Sequence, residues 1–199
     1  MFALVDKSDN SITKMLNGNK GITIGENQYP RAIFTLWTEA ERNAINIYTV
    51  TIDNSKKKDE QWYINTNITY SFDGTNATGS YGNATAKAHA DANATDDDGV
   101  DLDPVIVIEG LKTKLIRIVK AQAANELAKT DWYIKRKSEK NTAIPSAITT
   151  HRDAVRSKQD SMCTAITNAS DTPALETLYT YTTQEDGSVT RPLGELPTL

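Results

Sequence analysis

Along residues 111–127 the apolar positions recur at helical spacing. At about 100° per residue, Leu111, Leu115, Ile116, Ile118, Val119, Ala123 and Leu127 share roughly half of a helix circumference. Lys112 and Glu126 fall inside that stripe and must reach water along their stems or find partners. The pattern breaks at Thr130-Asp131-Trp132-Tyr133 and restarts after Ile144-Pro145, where a proline opening a helix costs no hydrogen bond. In the second helix Ile148, Val155 and Met162 recur every seven residues, and Arg152, Gln159 and Ile166 each follow by four. That is a heptad seam with two polar positions. The seam closes an antiparallel hairpin within the chain, or it joins copies of the protein, where buried polar residues set register and copy number. Trp132, beside the chain reversal, is expected to anchor the open end of the hairpin with its indole N–H bonded at the surface.

The front of the chain has the two-residue period of strands. Phe2 to Asp6 and Ser11 to Leu16 flank Lys7-Ser8-Asp9-Asn10, which has turn chemistry, and Ile22-Thr23-Ile24 suits a short strand. Thr38-Glu39-Ala40-Glu41 matches a capping box, so a short helix is predicted from Glu39 to Ile45. Ile47 to Asp53 returns to strand. The longest alternation follows, with Trp62, Ile64, Thr66, Ile68, Tyr70 and Phe72 on one face, and Asp73-Gly74 turns the chain back toward Ala77 to Tyr81.

From Ala84 to Asp103 the composition shifts to Ala, Asp, Asn, Thr and Gly, with six aspartates and no cation after Lys87. This reads as an acidic linker or a loosely packed segment. The β-branched run Val105-Ile106-Val107-Ile108 favours a strand before a helix starting near Gly110. Thr172-Pro173 suits an N-cap and first helical residue for a helix through Leu178. Tyr179 to Thr183 and Ser188 to Arg191 flank Glu185-Asp186-Gly187 as a hairpin, and residues 191–197 read as an extended tail. The expected fold is α+β. A small, mostly antiparallel β-rich part (1–85) is joined by an Ala/Asp-rich linker (86–104) to an antiparallel helical hairpin (105–170). A short helix, hairpin and tail (171–199) follow.

Composition adds constraints on partners. Among 199 residues the hydrophobic share is 38%, so the core is divided into modest pieces that favour help from a partner or a second copy. A net charge of −4 argues against non-specific binding to nucleic acid or membranes. Nine Lys/Arg against three acids between Lys112 and Lys140 could still face an acidic partner, though a solvated helix face accounts for them. No apolar run is long enough to span a bilayer, and residues 1–25 lack a secretory signal plan, so synthesis in the cytosol is expected. The Asn-x-Ser/Thr triplets at Asn67, Asn76, Asn83, Asn93 and Asn168 then reflect composition alone.

Candidate chemistry is sparse. An EF-hand counted from Asp91 places Asp96 and Leu102 where Gly and Glu are required, and the register set by Gly99 fails at Ala94 and Val105. His89 and His151 have no second ligand at metal spacing. His151 and the single Cys163 lie about 18 Å apart along one helix, too far for a thiolate–imidazolium pair. Glu39, Glu41, Asp59 and Glu60 offer no distinguished acid/base pair. Neither a catalytic residue nor a metal or cofactor site is predicted. Trp37, Trp62 and the tyrosines could stack on a glycan, but they occupy core-facing strand positions.

Asp131-Trp132-Tyr133, Arg136-Lys137, Glu139, Ala143-Ile144-Pro145 and Arg152 form one pattern. It resembles a C-terminal module of tailed-bacteriophage tail-fibre, fibre-assembly and other virion-associated proteins. Ile22-Thr23-Ile24-Gly25 and Tyr29-Pro30-Arg31 are similar, less specifically, to marine-phage virion proteins. The resemblance implies a non-enzymatic, homo-oligomeric virion component of a tail, neck or fibre attachment, made in the host cytoplasm and contacting other virion proteins. The main alternative is an assembly chaperone absent from the finished particle.

Overall fold

The computed structural model describes residues 1–199 and shows an α+β protein. The chain forms two compact units, residues 1–85 and 86–199. In the first unit, β1 (Phe2–Asp6), β2 (Ser11–Leu16), β3 (Ile22–Ile24) and β4 (Asn27–Tyr29) precede α1 (Ile33–Leu36) and α2 (Glu39–Ala44). Then come β5 (Ile47–Asp53), β6 (Tyr63–Ile64), β7 (Thr69–Phe72) and β8 (Ala77–Ser80), with β9 (Thr85–Ala86) at the boundary.

A five-stranded sheet in the order β2-β1-β5-β8-β7 organises this unit. Its pairings are antiparallel except β5 with β8, which run parallel. The alternation along β1 feeds two cores. Ala3 and Val5 join Tyr48, Val50, Phe72 and Ala77 on one face. Phe2 and Leu4 turn to the other, packing on Ile22, Ile33, Phe34 and Ile47. The predicted box forms at α2: the Glu41 N–H donates to the Thr38 hydroxyl, and the Thr38 N–H donates to the Glu41 carboxylate.

One predicted strand does not run its full length. Residues 65–68 leave the ladder between β6 and β7 because their side chains capture backbone groups instead. Asn65 accepts from the Lys58 N–H and donates to the Lys58 carbonyl, both at 2.8 Å, and the Thr66 hydroxyl accepts from the Gly82 N–H. Trp62, at the head of this run, is buried.

The second unit contains β10 (Ala92–Asn93), β11 (Val107–Ile108), α3 (Leu111–Ala128), α4 (Asp131–Lys140), α5 (Ser146–Asn168), α6 (Thr172–Tyr179), β12 (Thr182–Thr183) and β13 (Val189–Thr190). Helices α3 and α5 pack antiparallel, with Lys112 at the start of α3 donating to the Thr167 carbonyl near the end of α5. Leu111, Leu115, Val119 and Ala123 are buried on α3, whereas Ile118, placed in the predicted stripe, lies half exposed. The break between helices is confined to Lys129-Thr130, shorter than the predicted Thr130–Tyr133. Asp131-Trp132-Tyr133 therefore opens a separate helix, which ends on Asn141 in the left-handed region at φ 53°.

Residues 86–104, expected as an Ala/Asp-rich linker between domains, belong to this unit. Composition misleads here because the segment is held by backbone groups rather than by apolar burial. β10 pairs antiparallel with β11, and the turn between them closes through Thr95 and Asp101. The Leu111 and Lys112 N–H groups donate to the carbonyls of Ala88 and His89. α3 has no local side-chain cap. Asp91, from the supposed linker, supplies it: one oxygen accepts from the Gly110 N–H at 2.7 Å and the other from the Thr113 hydroxyl at 2.8 Å. Those bonds, with Gly110 first, hold the Asp91 carboxyl below its usual range. A Cβ on Gly110 would sit 2.3 Å from the Ala90 carbonyl oxygen, so only glycine admits this approach.

At the other end, Asp171 rather than Thr172 caps α6, accepting from the Ala174 N–H. Thr172 is buried and donates to the Lys87 carbonyl. The tail is not simply extended. Leu193 is buried and bonded to the Leu178 carbonyl, and Arg191 pairs with Glu195 while lying over Tyr179 and Tyr181.

Asp91→Ala should lower the midpoint of helical unfolding by about 4–8 °C, the loss of one helix cap in a domain this size. Thermal unfolding followed at 222 nm measures this; a disengaged linker predicts no change.

Candidate functional site

The six seam residues serve the hairpin inside one chain. Ile148, Arg152, Val155, Met162 and Ile166 are buried and Gln159 is half-buried along α5, which packs on α3. That surface is consumed within the fold and is not available to a second copy.

Arg152 is the polar centre of the junction. Its Nη1 donates to the Leu127 carbonyl at 2.8 Å, the Thr130 hydroxyl at 2.6 Å and the Asp131 carboxylate at 2.9 Å. One guanidinium thus satisfies the open C-terminal end of α3 and the first acid of α4. Arg152 takes the role expected of Trp132. That indole lies half exposed, stacked 3.8 Å from the Tyr133 ring with the Arg136 guanidinium 4.9 Å above it. The spacing pattern placed Arg152 on the seam but could not say that it reaches across to Thr130.

Next to it, Glu126 is buried at the α3 face and pairs with Lys129. Its other oxygen stands 3.5 Å from His151 Nε2. The Lys129 ammonium hydrogen-bonded to Glu126 is the first cause holding its carboxyl below the usual range. A small cleft of about 230 Å³ opens beside Glu126, bounded by Gln122, Met162, Glu195, Leu196 and Thr198. The arrangement is a helix junction in which Lys129 and Arg152 pair with acids while Glu126 Oε1, His151 Nε2 and Arg152 Nε stay buried without a hydrogen bond, and no group of three or more His, Cys, Asp or Glu is placed to hold a metal ion. Cys163 is a free, half-buried thiol whose pKa burial pushes up, which suits packing rather than nucleophilic work.

In the first unit an open groove of about 570 Å³ runs past Lys14, Met15, Leu16, Lys20, Ile22 and Phe34. It carries two lysines and no acid. The two tryptophans considered for glycan stacking are engaged within the unit. Trp62 is buried, and Trp37 meets Tyr29 edge-on with centroids 6.0 Å apart.

The most exposed apolar surface lies on the acidic hairpin of the second unit. Val100, Val105, Ile106, Val107 and Ile108 are each more than 50% exposed, and no other stretch of the chain leaves so many consecutive aliphatic residues uncovered. In β11 successive side chains point to opposite faces, so Val107 stands on one side and Ile106 and Ile108 on the other. A run apolar on both faces is the composition of a strand buried on both sides. Its backbone is also half paired. The Ala94 N–H donates to the Ile106 carbonyl, which makes Ala94–Ile106 and Ala92–Ile108 the bonded pairs of the ladder. By alternation Val107 turns its N–H and C=O away from β10. The strand was legible in the β-branched run; its exposure was not.

No family model matches the chain, and neither a curated protein nor a solved structure shows significant similarity to it. No helix is long and apolar enough to cross a membrane.

Arg152→Ala should cost about 2–3 kcal/mol, because it strips charge-assisted bonds from the Leu127 carbonyl and Thr130. Urea denaturation of the helical signal measures it, and a loss below about 0.5 kcal/mol, the range of an ordinary surface change, would make the junction incidental. For Glu126 the folded carboxyl lies below its ordinary 4.5. Its stabilisation is therefore fully present above that value and drains away as pH falls through the folded one. Glu126→Gln should flatten the acid limb of the stability–pH curve and leave its shape above neutrality unchanged.

Proposed function

We propose that this chain is a non-catalytic structural component of a tailed-phage particle, at the tail, neck or fibre attachment, acting through contacts with other virion proteins and with copies of itself. The observation that carries the reading is the uncovered aliphatic strip Val105–Ile108 with Val100. Contiguous exposed aliphatics on a protein with a modest hydrophobic share mark a surface completed by another chain. The resemblance at Asp131-Trp132-Tyr133 and Arg152 points the assembly toward the virion, and the same residues build the junction that rigidifies the helical unit. A rigid unit offering an unfinished strand suits attachment rather than turnover.

Mass spectrometry of gradient-purified particles tests the role. The protein should be present at a fixed ratio to the major tail proteins. Presence in the lysate and absence from the particle would overturn the structural role and favour an assembly chaperone.

A further inference from the structure

We infer that β11 is a two-fold pairing edge, so that two copies of the chain join β11 to β11 in an antiparallel ladder centred on Val107. The inference deepens the assembly reading by naming one partner.

Three observations lead to it. The first is hydrogen bonding. β10 and β11 form a two-stranded ribbon, which leaves the outer edge of β11 open, and Val107 is the residue whose N–H and C=O face that edge. Across a two-fold axis Val107 can exchange both bonds with Val107 of the other copy, a self-complementary arrangement that a strand centred between residues would not give.

The second is the apolar surface. With Val107 on the axis, Ile106 of one copy meets Ile108 of the other, so the exposed branched side chains on both faces find identical neighbours. A second copy brings this chemistry by symmetry.

The third is charge, which chooses the direction. The turn of the hairpin carries Asp96, Asp97 and Asp98, with Asp101 and Asp103 on the return, and no cation stands between His89 and Leu111. Parallel pairing would lay these carboxylates against each other. Antiparallel pairing about Val107 sends the two acidic turns to opposite ends. It also carries Asp101 and Asp103, which precede β11, toward the end of the other copy's β11 where α3 begins with Lys112 and Lys114. The same carboxylates disfavour nucleic acid or an anionic lipid surface as the occupant of this edge.

Light scattering of the full chain tests the pairing. Wild type should show twice the 21.9 kDa chain mass at tens of micromolar. Ile106→Lys and Val107→Pro should each raise the dissociation constant by about tenfold or more while the helical circular dichroism is kept. The register is tested separately in a Cys163→Ser background. Val107→Cys should form a covalent dimer on mild oxidation, because residues facing each other in a bonded antiparallel pair have Cα atoms about 5.5 Å apart, within disulfide reach. Asp96→Cys, sent to opposite ends by the pairing, should stay uncrosslinked. A folded wild-type monomer, or cross-linking through Asp96→Cys but not Val107→Cys, overturns the inference. Particles that incorporate a monomeric protein would refute the pairing and leave the virion role standing; a dimer absent from particles would do the reverse.

Discussion

The second unit depends on one guanidinium. Arg152 sits buried on α5 and bonds to the Leu127 carbonyl, Thr130 and Asp131, so the end of α3 and the start of α4 are tied to a helix that begins beyond both. A helix end buried without partners is costly, because its last carbonyls have no intrahelical donors. Arg152 supplies the donor and fixes how α5 registers on α3. The apolar residues above and below it, Ile148, Val155, Met162 and Ile166, then fall into place along the same face.

The opposite end of α3 meets the same problem with the opposite sign. Its first N–H groups need acceptors, and the residues just before Leu111 include no side-chain cap. The acceptors come from the Ala88 and His89 carbonyls and from Asp91, some twenty positions upstream in the chain. This is why a segment with so little apolar content is still placed: it is tethered by the obligations of a helix terminus. The hairpin that projects from the tether carries the protein's most concentrated exposed aliphatic surface. A tether that orders the base of a strand while leaving its edge bare is what an assembly contact requires.

The first unit is built differently. Its sheet divides the side chains of β1 between two cores, and β5 adds Tyr48 and Val50 to one and Ile47 to the other, while Thr49 and Thr51 stay exposed. The parallel pairing of β5 with β8 moves β7 to the edge opposite β2. Nothing in this unit rests on a single polar residue; its order is distributed over many small apolar contacts, each adding a modest share.

The amino-acid sequence by itself determined the elements whose signals are local. The capping box at Thr38 and Glu41, the alternation of β1 and β5, the heptad spacing of α5 and the β-branched run of β11 all act between residues close in the chain, so pattern reveals them. The tertiary structure decided what depends on distant partners. Arg152 rather than Trp132 closes the junction because its Nη1 lies within hydrogen-bond reach of three acceptors, whereas the indole has a single N–H and lies half exposed. The alternating run from Trp62 to Phe72 breaks because Asn65 and Thr66 bond to backbone at Lys58 and Gly82, which no periodicity records. The acidic segment is held, not free, because the helix it caps lacked a donor's partner of its own. Spacing tells which faces a chain can bury; only the folded arrangement tells which backbone groups are still in need of a partner, and those needs settle where the remaining residues go.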